Sequence, residues 1–239
     1  MAESQTDNPM YILHYAPDNA SLIIRLALED LGQPYRTALV DRARRQQDSD
    51  SYRTLNPTGL IPALETPAGA LFETAAILLW LSETHGTLAP RPGAPDRGAF
   101  LKWLFFTSNT LHADIRLHFY YDRYAGSPDA EPAFRAATQT RILHHLSLVE
   151  EMAATYPVWC HPDHPSMLTW YLCCLIRWLA LYPTDRQGWF DLTAFPSLRA
   201  LAAAHETLPA AQRAALAEGL GDKVFTRPSY ASPPEGSAT

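Results

Sequence analysis

The residues best suited to chemistry lie in two short runs within the first third of the chain. In Asn56-Pro57-Thr58-Gly59-Leu60-Ile61-Pro62-Ala63-Leu64 a proline heads a short apolar stretch. Its missing N–H is awkward inside a strand. A cis Ile61–Pro62 bond would turn the preceding backbone outward, so that the N–H and C=O of Ile61 could pair with an extended peptide as an added strand. A trans proline at an ordinary strand entry fits the same letters. Shortly after comes Glu73-Thr74, just ahead of the apolar run from Ala75 to Leu81. Thr74 suits the N-cap of a helix whose free N–H groups attract an anion, and Glu73 beside it suits an ammonium group. A ligand end carrying both carboxylate and ammonium would satisfy the pair. Equally, Thr74 can cap its own helix while Glu73 favours the helix dipole.

Further along, the run Leu101–Tyr124 is dense in aromatics, with Asn109, His112 and Arg116 interleaved. Asn109 and His112 stand at i and i+3 and so share a helix face. The run Cys160-His161-Pro162-Asp163-His164 offers metal-ligand atoms. It lacks the two-residue spacings of structural zinc sites, and no metal is expected.

The elements that position these residues follow from periodicity. Tyr11–Ala16 alternates as a strand, and Ser21–Leu31 has helical apolar spacing at Leu22, Ile23, Leu26 and Leu31, with Gly32 as its stop. Tyr35–Val40 is a second strand, and two short strands flank the turn Pro67-Ala68-Gly69 as an antiparallel hairpin. Thr74–His85 is a helix closed by Gly86. The order βαβ, polar stretch, ββα is that of a thioredoxin-like α/β domain over residues 10–86. Residues 87–97 are rich in proline and form a stiff linker. Residues 98–220 read as an all-α domain, with helical stretches over 96–124, 131–155 and 166–182, one opening at Pro196, and one over Pro209–Glu218. Residues 1–9 and 221–239 are expected to be flexible, the part from Arg227 being a loose tail.

Composition narrows the function classes. A net charge of −6 offers no basic field for phosphates, so nucleic acid is not an expected partner. No apolar run reaches the ~20 residues of a spanning helix, and the first nine residues lack the basic start and apolar stretch of a secretory signal. Three cysteines without CxxC spacing fit a reducing cytoplasm.

Taken together, N-P-x-G-x-I-P-x-L and the following E-T resemble the glutathione site of the soluble glutathione S-transferases. The resemblance extends back through HYAPDNASLIIRLALEDLG, forward through FETAAILLWLSETHG, and to FDLTAFPSLRALAAAHETLPAAQ near the end. It implies a homodimeric, bacterial-type enzyme that binds glutathione as co-substrate and turns its thiolate on a small electrophile or a disulfide. A glutathione-binding regulator or carrier without turnover would keep the same residues. By the resemblance, the Ile61 backbone beside Pro62 holds the cysteinyl part, Glu73 and Thr74 hold the γ-glutamyl end, and Gln47 lies near the glycyl carboxylate. Asn109, His112 and Arg116 face the second substrate.

A free thiol titrates at about 8.5, so the protein must stabilise the thiolate; bringing that pKa down to about 6.5 requires about 2.7 kcal/mol. In the family the donors come from the loop after the first strand, here Ala16–Ser21. Related bacterial enzymes carry a cysteine where Ala20 stands, and no cysteine precedes Cys160. Asn19 and Ser21 are the remaining donor candidates, with Tyr11 and Tyr15 less well placed. An asparagine donor resembles the nu-class enzymes, whose common activity is glutathione-dependent disulfide reduction. Asp18 or Asn19 could instead simply cap the helix. Two departures from the family pattern stand out. Leu60 occupies a position where many relatives have lysine. Ser166-Met167-Leu168-Thr169 has threonine where the helix-opening box carries an acid, which is expected to weaken that cap.

Overall fold

The computed structural model describes residues 11–185 and 188–238. The expectation for residues 1–9 lies outside the described residues. Strand β1 (Tyr11–Tyr15) alternates buried and half-buried residues, and Tyr11, Leu13 and Tyr15 face the core. It pairs in parallel with β2 (Tyr35–Leu39), Tyr11 opposite Tyr35, and antiparallel with β3 (Ala63–Thr66), Leu13 opposite Leu64. Strand β4 (Gly69–Phe72) closes the hairpin, giving the order β2-β1-β3-β4. The crossover is helix α1 (Ser21–Leu31), which ends at Gly32 with φ of 63°, a left-handed stop that glycine adopts without strain. Between β2 and β3 lies the short α2 (Asp50–Arg53), and α3 (Thr74–His85) follows β4. This is the thioredoxin-like α/β domain.

The second domain is helical. Helix α4 (Arg97–Phe106) runs through a widened π turn at Thr107–Leu111 into α5 (His112–Phe119) and the short α6 (Tyr121–Tyr124). Then come α7 (Glu131–Ala153), α8 (Met167–Leu181), α9 (Pro196–His205) and α10 (Pro209–Glu218). Helix α8 is apolar nearly all round because it is buried all round, from Met167 to Leu181. Its opening box closes despite the threonine: Ser166 Oγ accepts from the Thr169 N–H (3.1 Å) and Thr169 Oγ1 accepts from the Ser166 N–H (2.8 Å). The hydroxyl does what a carboxylate would, so the expected weak point keeps both bonds.

One apolar core runs through both domains, with α1 packed between the sheet and helices α8 and α10. Polar ties cross the same interface. Trp170 Nε1 donates to Asp30 (2.8 Å), and Arg25 on α1 pairs with Glu218 on α10 (2.6 Å).

The final segment differs from the loose tail expected. Val224 and Phe225 are buried, Arg177 donates to the Ser229 carbonyl (2.9 Å), and the Ser232 N–H to the Gly219 carbonyl (2.8 Å). Beyond that, Tyr15 donates to Glu235 and Arg42 to the Ala238 carbonyl (2.8 Å), so the strap returns to the first domain. It has no periodic apolar signature because backbone carbonyls and a few side chains hold it. Among the described residues, no helix is long and apolar enough to cross a membrane.

Candidate functional site

A cleft of about 1040 Å³ opens between the domains. One wall is built on the turn before β3. The Ile61–Pro62 bond is cis, and both residues line the cleft. Just upstream, the Tyr52 hydroxyl and the Asn56 amide both donate to the Leu60 carbonyl (2.6 and 2.7 Å), fixing the peptide plane that leads into Ile61. Gly59, with φ of 67°, has no room for a side chain: a Cβ would meet Arg53 Nη2 at 3.0 Å and the Gln47 carbonyl at 3.1 Å. That close approach brings the Gln47 loop to the cleft, where Gln47 Oε1 is buried without a partner among the described residues. A buried, unsatisfied acceptor calls for an explanation, and a ligand donor supplies one.

Glu73 lies on the same wall in a strained conformation, φ 70° and ψ 112°, which non-glycine residues rarely hold. Glu73, not Thr74, is the N-cap of α3, and its side chain makes no capping bond. Thr74 is the first helical residue and is buried. The helix spans Thr74–His85 as its spacing predicts, but the cap position falls on Glu73, and the first turn meets the cleft through Thr74 and Ala75 uncapped by a side chain.

The loop after β1 separates the two donor candidates. Asn19 lines the cleft; its Oδ1 accepts from the Ala20 N–H (2.7 Å), which fixes the amide and leaves Nδ2 as the group to offer. Ser21 is fully buried at the start of α1, donates to the Ala16 carbonyl (3.0 Å), accepts from the Ala16 N–H (3.3 Å), and does not line the cleft. The N-cap of α1 is Ala20, so neither Asp18 nor Asn19 caps it. Tyr15 is buried with its hydroxyl on Glu235; burial and then that carboxylate raise its pKa well above the usual tyrosine range.

Asp18 has a different task. It is buried, φ 49°, and its carboxylate receives Arg177 Nε and Nη2 (2.8 and 2.9 Å), Trp178 Nε1 (2.8 Å) and the Tyr182 hydroxyl (3.0 Å). Its N–H donates to Glu218 (2.8 Å). The helical domain thus clamps the loop that carries Asn19. Sequence patterns do not expose this constellation, although an arginine inside the apolar run of α8 is a signal, since buried arginine needs a partner.

The opposite wall comes from α5, α8 and the π turn. The widened turn carries Asn109, and His112 follows it; both line the cleft, although not through the regular i, i+3 helix expected. Such turns concentrate at functional sites. His112 Nδ1 is 2.8 Å from the Tyr171 hydroxyl, and its ring tilts against Trp178. Burial, and then the charge of Arg116, push the imidazole pKa down to about 4, so His112 is neutral at physiological pH. Burial, and then the charge of Glu73, raise the Tyr171 phenol well above its usual range, which keeps it protonated. Arg116 lines the outer part of this wall with Nε 3.2 Å from the Tyr124 hydroxyl.

Cys160 is buried while His161 is half-buried and His164 exposed, so the metal-like run is divided between core and surface. Among the described residues no cluster of three candidate ligands forms.

Residues 20–84 match the family model for the N-terminal domain of glutathione S-transferases. The chain is 29% identical over 211 residues to the maleylacetoacetate isomerase of Rhizobium meliloti (strain 1021), covering 87% of this chain and 96% of that protein. Along most of its length the chain is similar to soluble glutathione S-transferases, and its first domain carries the match to their N-terminal domain. It is also 26% identical over 221 residues to the disulfide-bond oxidoreductase YfcG of Escherichia coli (strain K12), covering 90% and 98% of the two chains. Among solved structures it resembles a sphingomonad glutathione S-transferase complexed with glutathione, at 28% identity and a TM-score of 0.71, over 88% of this chain and all of that one (100%). These likenesses extend through the helical domain as well as the first.

Proposed function

We propose that the protein is a glutathione-dependent transferase or thiol–disulfide oxidoreductase in which glutathione supplies the nucleophile. One observation carries this reading: Ile61, Glu73 and Thr74 meet on a single cleft with the uncapped first turn of α3. The backbone of Ile61 pairs with the cysteinyl residue, and Pro62 sets its direction. Glu73 receives the γ-glutamyl ammonium, while Thr74 and the first-turn N–H groups receive the γ-glutamyl carboxylate. Gln47 serves the glycyl end.

In this reading the Asn19 amide donates to the sulfur at the positive end of α1. It stabilises the thiolate without being able to take its proton. The thiolate then attacks an electrophilic carbon and displaces its leaving group, or attacks a disulfide sulfur and releases the other sulfur as a thiolate that takes up a proton. Neutral His112, held by Tyr171, gives the second substrate an uncharged hydrogen-bonding partner beside Asn109. The glutathione-bound sphingomonad structure and the disulfide-bond oxidoreductase among the relatives support this assignment. The family pattern further supports a cytoplasmic homodimer.

The test is turnover of glutathione with 2-hydroxyethyl disulfide and, separately, with a chloronitroarene. Activity with at least one is expected. Binding of glutathione with activity toward neither would favour a carrier over an enzyme.

A further inference from the structure

The chain is acidic overall, yet the outer cleft is not. Arg42, Arg45, Arg116 and Arg123 all line it. Arg45 is paired with Asp48 (2.8 Å), and Asp18 is committed to Arg177. Among the described residues, none of the other three arginines has a carboxylate partner, and all three gather round one side chain. Arg123 Cζ lies 4.7 Å and Arg116 Cζ 6.0 Å from the centre of the Tyr120 ring, while Arg42 Nη2 is 3.5 Å from the Tyr120 hydroxyl. Arg116 Nε is further held by the Tyr124 hydroxyl (3.2 Å).

Like charges collected at a cleft wall repel one another unless an anion joins them. Tyrosine faces and hydroxyls steady the guanidinium planes but neutralise nothing. Their remaining N–H edges form planar forks, the geometry that matches a carboxylate. Phosphate sites commonly add N–H groups from a helix N-terminus. The long helices that open freely on this cleft, α1 and α3, belong to its other wall; α5 continues directly from the π turn, and α6, which starts beside Tyr120, is a single four-residue turn.

We infer that the Arg116–Tyr120–Arg123 wall, closed from the first domain by Arg42, binds a carboxylate on the second substrate. The inference rests on the glutathione reading above and names the class of molecule that reacts there. Two sources share this chemistry: a carboxylated carbon electrophile, and a disulfide whose halves carry carboxylates, such as a glutathionyl group.

Binding is tested first, without glutathione, by titrating 3,5-dinitrobenzoate and its methyl ester into the full chain. The acid should bind about tenfold more tightly than the ester, and the preference should shrink as salt is added. The double variant Arg116→Gln/Arg123→Gln should lose the preference, and Arg116→Lys/Arg123→Lys should restore part of it; thermal melts show whether each variant is folded. Equal affinity for acid and ester in the unaltered protein, or an acid preference intact in a folded double variant, would overturn the assignment. Turnover then distinguishes the sources. An acid preference with 4-chloro-3,5-dinitrobenzoate over its methyl ester assigns a carbon electrophile. A preference for 3,3′-dithiodipropionate over 2-hydroxyethyl disulfide assigns a disulfide. Binding preference with no turnover of any of these would count against the enzyme reading, in favour of a glutathione carrier, and leave the anion site standing.

Discussion

Arg177 grips Asp18 through two parallel bonds, Nε to Oδ1 at 2.8 Å and Nη2 to Oδ2 at 2.9 Å, and both side chains are fully buried. The pair joins helix α8 to the loop that presents Asn19, so domain packing and the proposed thiol site share one contact. Removing either partner alone leaves a buried charge unpaired, which typically costs about 3–5 kcal/mol. Asp18→Ala and Arg177→Ala should each lower stability by that order in urea unfolding. The combined variant Asp18→Asn/Arg177→Met should lose much less than the sum. An additive double variant would mean the two residues act independently.

His118 and His205 are fully buried, and burial pushes each imidazole pKa down to about 4; His112 is shifted likewise. The unfolded chain takes up protons near the ordinary value of about 6.5, while the folded one does not until about 4. Stability should therefore be unaffected by these groups above about pH 7. It should fall as pH drops from about 6.5 toward 4, by roughly 1.4 kcal/mol per pH unit for each histidine. Urea midpoints between pH 7 and 5, before most carboxylates titrate, should show this slope. His205→Gln should make it shallower; an unchanged slope would contradict the depressed pKa.

At the thiol, Asn19→Ala should raise the pKa of bound glutathione by about one, equivalent to ~1.4 kcal/mol, with little change in affinity. Ser21→Ala should leave that pKa alone and lower stability by about 1 kcal/mol, since its hydroxyl serves the Ala16 backbone. Thiolate absorbance against pH in the two variants decides this. An upward movement in Ser21→Ala alone would reverse the roles.

Cys160, Cys173 and Cys174 are free and buried, and burial raises their thiol pKa, Cys160 to about 12. Replacing all three by alanine should leave glutathione-dependent turnover largely intact in a protein that remains folded. A folded but inactive variant would show that a protein thiol takes part.

Much of this architecture is legible in letters with local meaning. Gly32 and Gly86 end α1 and α3, and Pro196 and Pro209 open α9 and α10, because each residue type restricts its own backbone. The cleft residues Ile61, Glu73 and Thr74 are legible through their spacing. Less local features are not. The π turn at Thr107–Leu111 changes which residues face the cleft without any distinctive residue type. The partnership of Asp18 with Arg177 joins positions 159 apart in the chain. The terminal strap is held through carbonyls that every residue possesses. At the start of α3, residue type favours Thr74 as the cap, whereas the strained backbone of Glu73 takes the position.

The proposed function places glutathione in this cleft with its γ-glutamyl end on Glu73 and Thr74. Calorimetric titration of glutathione into the unaltered protein, Glu73→Ala and Glu65→Ala tests it directly. Glu65 is the control, because it is a carboxylate of the same domain but bonds His14 (2.7 Å) and lies outside the cleft lining. Glutathione should bind, Glu73→Ala should weaken it by about 1.5–3 kcal/mol, the value of a hydrogen bond to a charged group, and Glu65→Ala should scarcely change it. Equal affinities for the unaltered protein and a folded Glu73→Ala variant would contradict it.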